Sequence, residues 1–392
     1  MDILLVSTAD WDNPYWTNKQ HMAVQFAALG HRVFYVESQG LRTPTATAKD
    51  LTRIWKRLKR GLRAPRNVQD NIWVWSPLNI PMQGNPLIRR LNKVILQSGI
   101  RLWCTLKGIK PQMLWTYSPM TTEFYDLNRY DLCVYHAVDD VKTQPGMPRD
   151  AIETAEAVLS KKADLIFVTA PNLYDMHKPL NDATYYFSNV ADYHHFNQAL
   201  NADLKIPDDI SQISGPRIGF VGAISSYKLD FDMIKTIAER HPEWSFVFVG
   251  EIGEGDPLDD SSTLKGLSNL HFLGGKNYET LPSYLKAMDV VLMPNKINEY
   301  TRSMFPMKFF EYLSSGRPVV STELPALADY KSVAAFCKST DEFEIAIQEA
   351  LKGNVPELQD RLETAKGQTY EIRTQNMMQY VNQAIGKSTK VE

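Results

Sequence analysis

Cysteine is scarce in this chain: three residues, Cys104, Cys133 and Cys337, are scattered through 392. The number is odd and no spacing suits a metal, so a disulfide framework and a cysteine-ligated metal site are excluded, and reduced thiols of a cytosolic protein are expected. No run of about 18 apolar residues occurs, so no segment is expected to span a membrane. The opening MDILLVSTADW has no basic region before its apolar residues and enters strand-like sequence at once, which is not a signal-peptide pattern. Repeats and low-complexity tracts are also missing, which excludes a repeat array. What is present is an ordinary soluble composition, 44% hydrophobic with a mean hydropathy of -0.31, and a length that suits two domains. The net charge of -2 hides an asymmetry: residues 1–110 hold 17 Lys+Arg against 6 Asp+Glu. A basic first third suits an anionic surface or substrate.

The most informative stretch is residues 304–321, MFPMKFFEYLSSGRPVVS. Lys308 precedes Glu311 by one helical turn, so both side chains leave one face. Phe309, Phe310, Tyr312 and Leu313 suit packing of that helix on a sheet, Gly316 and Pro318 stop it, and Val319-Val320 begin a buried strand. Pro306 fits a first turn, where a missing N–H costs nothing. A helix N-terminus with a lysine suits a diphosphate, and a carboxylate one turn on suits a sugar diol. A lone K-x-x-E is usually a solvated surface pair. Here the surrounding order, strand–loop–P-x-K-x-x-E-Y-L-x-x-G-x-P-V-V, sets it apart.

From the start, Ile3–Val6 reads as a buried parallel strand, Thr17 or Asn18 as the cap of a helix running to Gly30, and HRVFYVES as a second strand, a βαβ unit. The intervening loop and helix start hold Trp11, Tyr15, Trp16, Asn18, Lys19 and Gln20. Aromatic rings stack on sugar faces, and Asn, Lys and Gln bond hydroxyls or phosphate; a loop held together by its own aromatics is the equal alternative. Residues 49–66, KDLTRIWKRLKRGLRAPR, carry eight basic residues and one acid, with Leu51, Ile54, Trp55, Leu58 and Leu62 at helical spacing. That is a basic amphipathic helix of the kind that lies on an anionic membrane surface. A second basic helical stretch runs from Pro86 to about Lys110. No nucleic-acid motif accompanies either, so nucleic acid is not expected as a partner. Strands are predicted at 71–78, 113–117 and 132–135, the last ending in His136, Asp139 and Asp140. Residues at strand C-termini face the ligand crevice of an open α/β sheet, so these three are candidates to act on an acceptor hydroxyl, although paired acids there also cap helices.

A strand at 217–221 ending in Gly222, with Lys228 in the loop before the next helix, has the form of a phosphate cradle. Strands follow at 244–250, 270–273 and 290–294, with Gly274-Gly275 as a turn, and Tyr278 either stacks on a base or packs on the helix from Thr280. Residues 295–303 read as a polar loop, and the long last helix is predicted over 368–385. The boundaries read as an acceptor-binding domain 1–195, a linker 196–215 that is polar and without period, a donor-binding domain 216–366, and a C-terminal helical segment 367–392.

The order around Lys308 and Glu311 resembles the donor-site segment of the GT-B glycosyltransferases, in particular the family-four enzymes (glycosyl transferases group 1) and their relatives in bacterial polysaccharide and teichuronic-acid-type assembly. The resemblance implies an α/β protein of two Rossmann-like doubly wound domains facing each other across a cleft, with the last helix crossing back to the N-terminal domain. It implies that Glu311 holds the ribose hydroxyls of a UDP- or GDP-linked sugar and Lys308 its diphosphate. By the same resemblance the glycine loop and Lys228 lie near phosphate, Gly274 and Gly275 lie against the base, and Asn298, Thr301 and Ser303 meet the donor's sugar. The loop with Trp16, Asn18, Lys19 and Gln20 faces the acceptor. The fold needs no metal and no cofactor besides the sugar nucleotide. One departure stands out: counting back from Glu311, the family's first glutamate falls on Ser303, with Glu299 four residues out of register, so retention or inversion is left open. The activity implied is hexosyl transfer to a saccharide, lipid-linked, at the cytoplasmic face of a membrane. A nucleotide-sugar 2-epimerase and a non-catalytic nucleotide-sugar sensor are the alternatives on the same fold.

Overall fold

The computed structural model describes residues 1–13, 15–38, 61, 63–80, 86–253, 261–264 and 266–388. The chain forms two compact units: Met1–Phe187 with Thr374–Glu392, and Ser188–Arg373. The first boundary therefore falls at Phe187 rather than after residue 195. Residues 196–215, expected as a linker, belong to the second unit, because Phe196, Ala199 and Ile210 are buried in its core.

In the first unit short apolar runs form β1 (Asp2–Val6), β2 (Arg32–Val36), β4 (Ile72–Trp75), β5 (Met113–Thr116), β6 (Leu132–Ala137), β7 (Leu165–Val168) and β8 (Thr184–Tyr186), all parallel. β3 (Arg66–Gln69) adds one antiparallel edge through a turn in which Asn71 has φ 65°. The order is β3-β4-β2-β1-β5-β6-β7-β8. Alternate residues feed two cores, Ile3, Leu5 and Trp115 on one face and Leu4, Phe34 and Leu114 on the other, as expected of a sheet covered on both sides. The helix Asn18–Ala28 starts at a capping box of Thr17 and Gln20 and ends before Gly30, whose φ of 81° a side chain would strain. The last helix, Tyr370–Ser388, buries Met377, Met378 and Val381 against the same core as Ile3 and Phe26, and sets the Tyr380 ring 4.0 Å from that of Tyr185. Of the helix expected across 49–66, residues 49–60 and 62 lie outside the described residues; Gly61 is helical, and the last residue, Arg66, instead opens β3. The second basic helix is present as Pro86–Leu106.

The second unit has β9 (Arg217–Val221), β10 (Ser245–Val249), β11 (Leu270–Phe272), β12 (Val290–Met293), β13 (Val319–Thr322) and β14 (Ala335–Cys337), all parallel, in the order β11-β10-β9-β12-β13-β14. The chain winds outward from β9 through β10 to β11, then returns to β12 on β9's other side. That reversal opens a crevice at the C-terminal ends of β9 and β12, where open α/β sheets bind ligands. β1 and β5 make the equivalent switch in the first unit.

The ends of β9 and β10 come together closely. A Cβ on Gly250 would lie 1.8 Å from the Gly222 carbonyl oxygen, so only glycine fits. Gly250→Ala is expected to destabilise the chain by about 1–3 kcal/mol or more in denaturant unfolding. Gly386→Ala, with nothing within 4 Å of the added methyl, is the neutral control; equal stability of the two variants would contradict the close approach.

Candidate functional site

In the second unit the expected donor residues gather around the β9–β12 switch. Gly222 directly follows β9, and a Cβ there would stand 3.7 Å from Lys308 Cε, so the lysine stem lies beside the glycine loop. The helix Lys308–Ser314 is only seven residues long; Pro306 lies just before it, and its carbonyl accepts from Phe309 N–H. Lys308 Nζ donates to Glu311 Oε2 at 2.6 Å. This is no solvated surface pair, since the Glu311 side chain is 5% exposed and that of Lys308 28%. Next along the helix, Tyr312 Oη accepts from Val221 N–H at 2.8 Å and donates to Val221 O at 3.2 Å, which ties Glu311's helix to the last residue of β9. Burial is the largest effect on that phenol and raises its pKa, with the Val221 backbone bond acting the other way and Glu311 adding to the rise.

Tyr278 stands close enough to Glu311 for the carboxylate, second to burial, to push its phenol well up. Its ring stacks on His195 with centroids 4.3 Å apart and planes 11° from parallel, and His195 Nε2 lies 2.9 Å from the Tyr278 carbonyl. One face of Tyr278 is thus covered by a residue that sequence reasoning did not single out. Gly274 has φ 71° and its carbonyl accepts from Gly250 N–H, while Gly275 N–H donates to Glu251. These glycines continue the line of strand ends from Gly222.

Asn298 and Thr301 are engaged with each other. Asn298 Oδ1 accepts from Thr301 N–H at 3.0 Å and Thr301 Oγ1 from Asn298 N–H at 2.9 Å, a capping box for the short helix Glu299–Arg302. The stretch expected as an open polar loop is therefore partly helical. Asn298 Nδ2 also donates to Tyr227 O at 2.7 Å, and Lys296 N–H to Lys228 O, so the loops after β9 and β12 are sewn together. Lys228 lies over the rings of Tyr227 and Tyr300 at 5.2 and 5.6 Å. Ser303 is fully buried, while Glu299, one turn earlier, is exposed.

In the first unit the structure brings the helix start and the β6 end together through Tyr117, which follows β5. Its ring centroid is 4.9 Å from His136, its hydroxyl donates to Asn18 O at 3.4 Å, and Lys19 Nζ sits 5.6 Å from its centroid. Sequence reasoning missed Tyr117 as a site residue. The available signal was its place directly after an apolar strand. His136 itself is 0% exposed, among Trp115, Tyr117 and Phe167. Asp140 is buried with Lys142 Nζ 3.8 Å away, and its side chain makes no capping bond to the turn it precedes. Lys142 in turn faces Glu156, which accepts from Tyr135 Oη and whose pKa burial raises. Of the three strand-end candidates only Asp139 is partly exposed.

The aromatic loop is held by its own rings. Trp11 packs edge-on to Trp16 and Tyr35, and Trp16 to His21. Gln20 is fully buried, its amide donating to Asp10 O at 3.0 Å and its oxygen accepting from Thr17 N–H. Asn18 and Lys19 are 2% and 8% exposed, which leaves half-buried Trp16 as the most open of the four expected acceptor residues. Two surface cavities of about 460 and 350 Å³ lie elsewhere, and neither is lined by a candidate residue. Among the described residues no group of three or more His, Cys, Asp or Glu is arranged to hold a metal ion, and no helix is long and apolar enough to cross a membrane.

Residues 215–353 match the family described as glycosyl transferases group 1. TuaH of Bacillus subtilis strain 168, named as a teichuronic acid biosynthesis glycosyltransferase, is 32% identical over 184 residues. That match covers 45% of this chain and 45% of that protein, so the chain spans about half the length of the curated relative. Among solved structures, a sucrose-phosphate synthase from Thermosynechococcus elongatus superposes with a TM-score of 0.69 at 15% identity, over 98% of this chain and 99% of that one. HepE of Anabaena, solved with UDP and glucose, gives 0.63 at 14% identity over 97% and 99%. The two Rossmann-like units thus have the GT-B fold, and residues 215–353 are a glycosyl transferases group 1 domain.

Proposed function

We propose that this protein is a glycosyltransferase that moves a hexosyl group from a UDP- or GDP-linked sugar to a hydroxyl of a lipid-linked saccharide in cell-surface polysaccharide assembly. The observation that carries this is the Lys308–Glu311 pair, nearly enclosed beside Gly222 at the switch point of the group 1 domain. A nucleotide sugar offers a partner to each member, a diol for the carboxylate and a diphosphate for the ammonium. Both bonds are charge-assisted, and the lysine also stabilises the leaving diphosphate as its charge develops. In the first unit the partly exposed Asp139 is the group that receives the acceptor's proton, with Asp140 held behind it by Lys142. Transfer of this kind requires no metal. The relative named for teichuronic acid assembly supports an acceptor on the way to the cell surface. The basic run 49–66 would bring the enzyme to the cytoplasmic face of an anionic membrane.

Incubation with a panel of nucleotide sugars and a lipid-linked saccharide tests the reading. Nucleoside diphosphate is expected to be released from one donor, in an amount that depends on acceptor. Epimerised sugar without transfer, or binding without turnover across the panel, would overturn it.

A further inference from the structure

The helix Pro86–Leu106 presents two unlike faces. Inward, Leu96, Ile100 and Cys104 join the core. Outward, Leu87, Leu91, Val94, Leu102 and Leu106 are 78, 48, 55, 54 and 64% exposed. Steps of three, four and eight residues put all five on one line along the helix, with Ser98 completing the row. A water-facing helix surface normally carries polar residues along such a line, and a row of five exposed aliphatic side chains interrupted only by Ser98 marks a contact surface.

The charges on the helix segment itself are of one sign. Residues 86–110 hold Arg89, Arg90, Lys93, Arg101, Lys107 and Lys110 and no acid. Arg89 faces Glu123 at 3.6 Å; Arg90 and Arg101 are exposed beside the row. Under the same helix lies the groove of about 350 Å³, lined by Ile100, Ile109 and Tyr130 together with the exposed Arg101 and with Arg129, which pairs with Asp126 at 3.3 Å. A second copy of this helix would set bases against bases, and nucleic acid offers phosphate but nothing for five aliphatic side chains. An anionic bilayer offers both, acyl chains beneath a layer of phosphates.

We propose that Pro86–Leu106 is a membrane-docking helix that lies in the interface of an anionic bilayer. Its apolar row enters the headgroup–acyl boundary and its basic residues lie among lipid phosphates. This deepens the membrane-side reading given above and assigns the contact to a helix distinct from the 49–66 run.

Vesicle flotation of the full chain tests it, comparing phosphatidylcholine alone with equal parts phosphatidylcholine and phosphatidylglycerol. The native chain is expected to float with the anionic vesicles only, and less as salt screens the charges. Leu91→Ser with Val94→Ser and Leu102→Ser is expected to weaken binding about tenfold or more. Arg90→Glu with Arg101→Glu is expected to do the same. All five positions are exposed, and native circular dichroism with an unchanged thermal unfolding transition would show that both variants are folded. The proposal is overturned if the native chain does not float, if the triple serine variant floats like the native chain, or if sedimentation shows a dimer that this variant dissolves. Transfer to a water-soluble acceptor without flotation would remove the docking helix and leave the transferase; flotation without any transfer would do the reverse.

Discussion

Glu311→Gln is expected to weaken binding of the preferred nucleotide sugar by about 1.5–3 kcal/mol for each hydroxyl bond lost, on the order of ten- to a hundredfold apiece. The substitution keeps the shape and an acceptor oxygen but removes the charge that strengthens a bond to a diol. Lys308→Ala is expected to impair diphosphate binding and turnover together, because in the proposed role the ammonium meets the phosphate both before and during departure of the sugar. Neither change should unfold the second unit. Its core is carried by Phe309, Phe310, Tyr312 and Leu313, and the Tyr312 bonds to Val221 stay in place. Calorimetry decides: unaltered nucleotide affinity in both variants would show that the pair only holds its own helix.

The second large effect belongs to the end of β6. Asp139→Ala is expected to lower kcat about 10²–10⁴-fold, the usual loss when a general base is removed, with donor affinity nearly unchanged because the donor residues lie in the other unit. The buried neighbours should behave differently. His136 is enclosed by Trp115, Tyr117 and Phe167, so its replacement is expected to cost stability first and rate second. Asp140→Asn removes one of the three carboxylates around Lys142, leaving Glu153 and Glu156, and is expected to lower kcat less than Asp139→Ala. Alanine at all three positions with kcat within a few-fold of native would make this strand end structural.

The strands with continuous apolar runs were legible because parallel sheets buried on both faces require such runs, as in Ile3–Val6 and at Val319-Val320. The focal helix was legible because Lys308, Glu311, Gly316 and Pro318 each have a local meaning. What escaped depended on the third dimension. β3 begins at Arg66, where basic helical periodicity had been read straight through. Residues 196–215 looked like a linker because Phe196, Ala199 and Ile210 are too far apart to show a period, yet each fills the second unit's core. The Tyr117–His136–Lys19 cluster arises only because β5 lies between β1 and β6, and strand order is not written in any local pattern. Asn298 and Thr301 were read for what their side chains offer a ligand, whereas the capping box engages both with each other.

The first unit is built from two separate lengths of chain, 1–187 and 374–392, while the second is one uninterrupted length. On a ribosome the second unit is complete in sequence before the first is. Until the final helix emerges, the core side chains that meet Met377, Met378 and Val381, Ile3 and Phe26 among them, lack their cover. A nascent chain therefore carries an uncapped apolar surface through most of its synthesis, and a protein clipped near residue 373 would carry it permanently. Sensitivity to chaperone supply and to loss of the helix Tyr370–Ser388 follows from how the two units divide the chain, independently of any chemistry at the site.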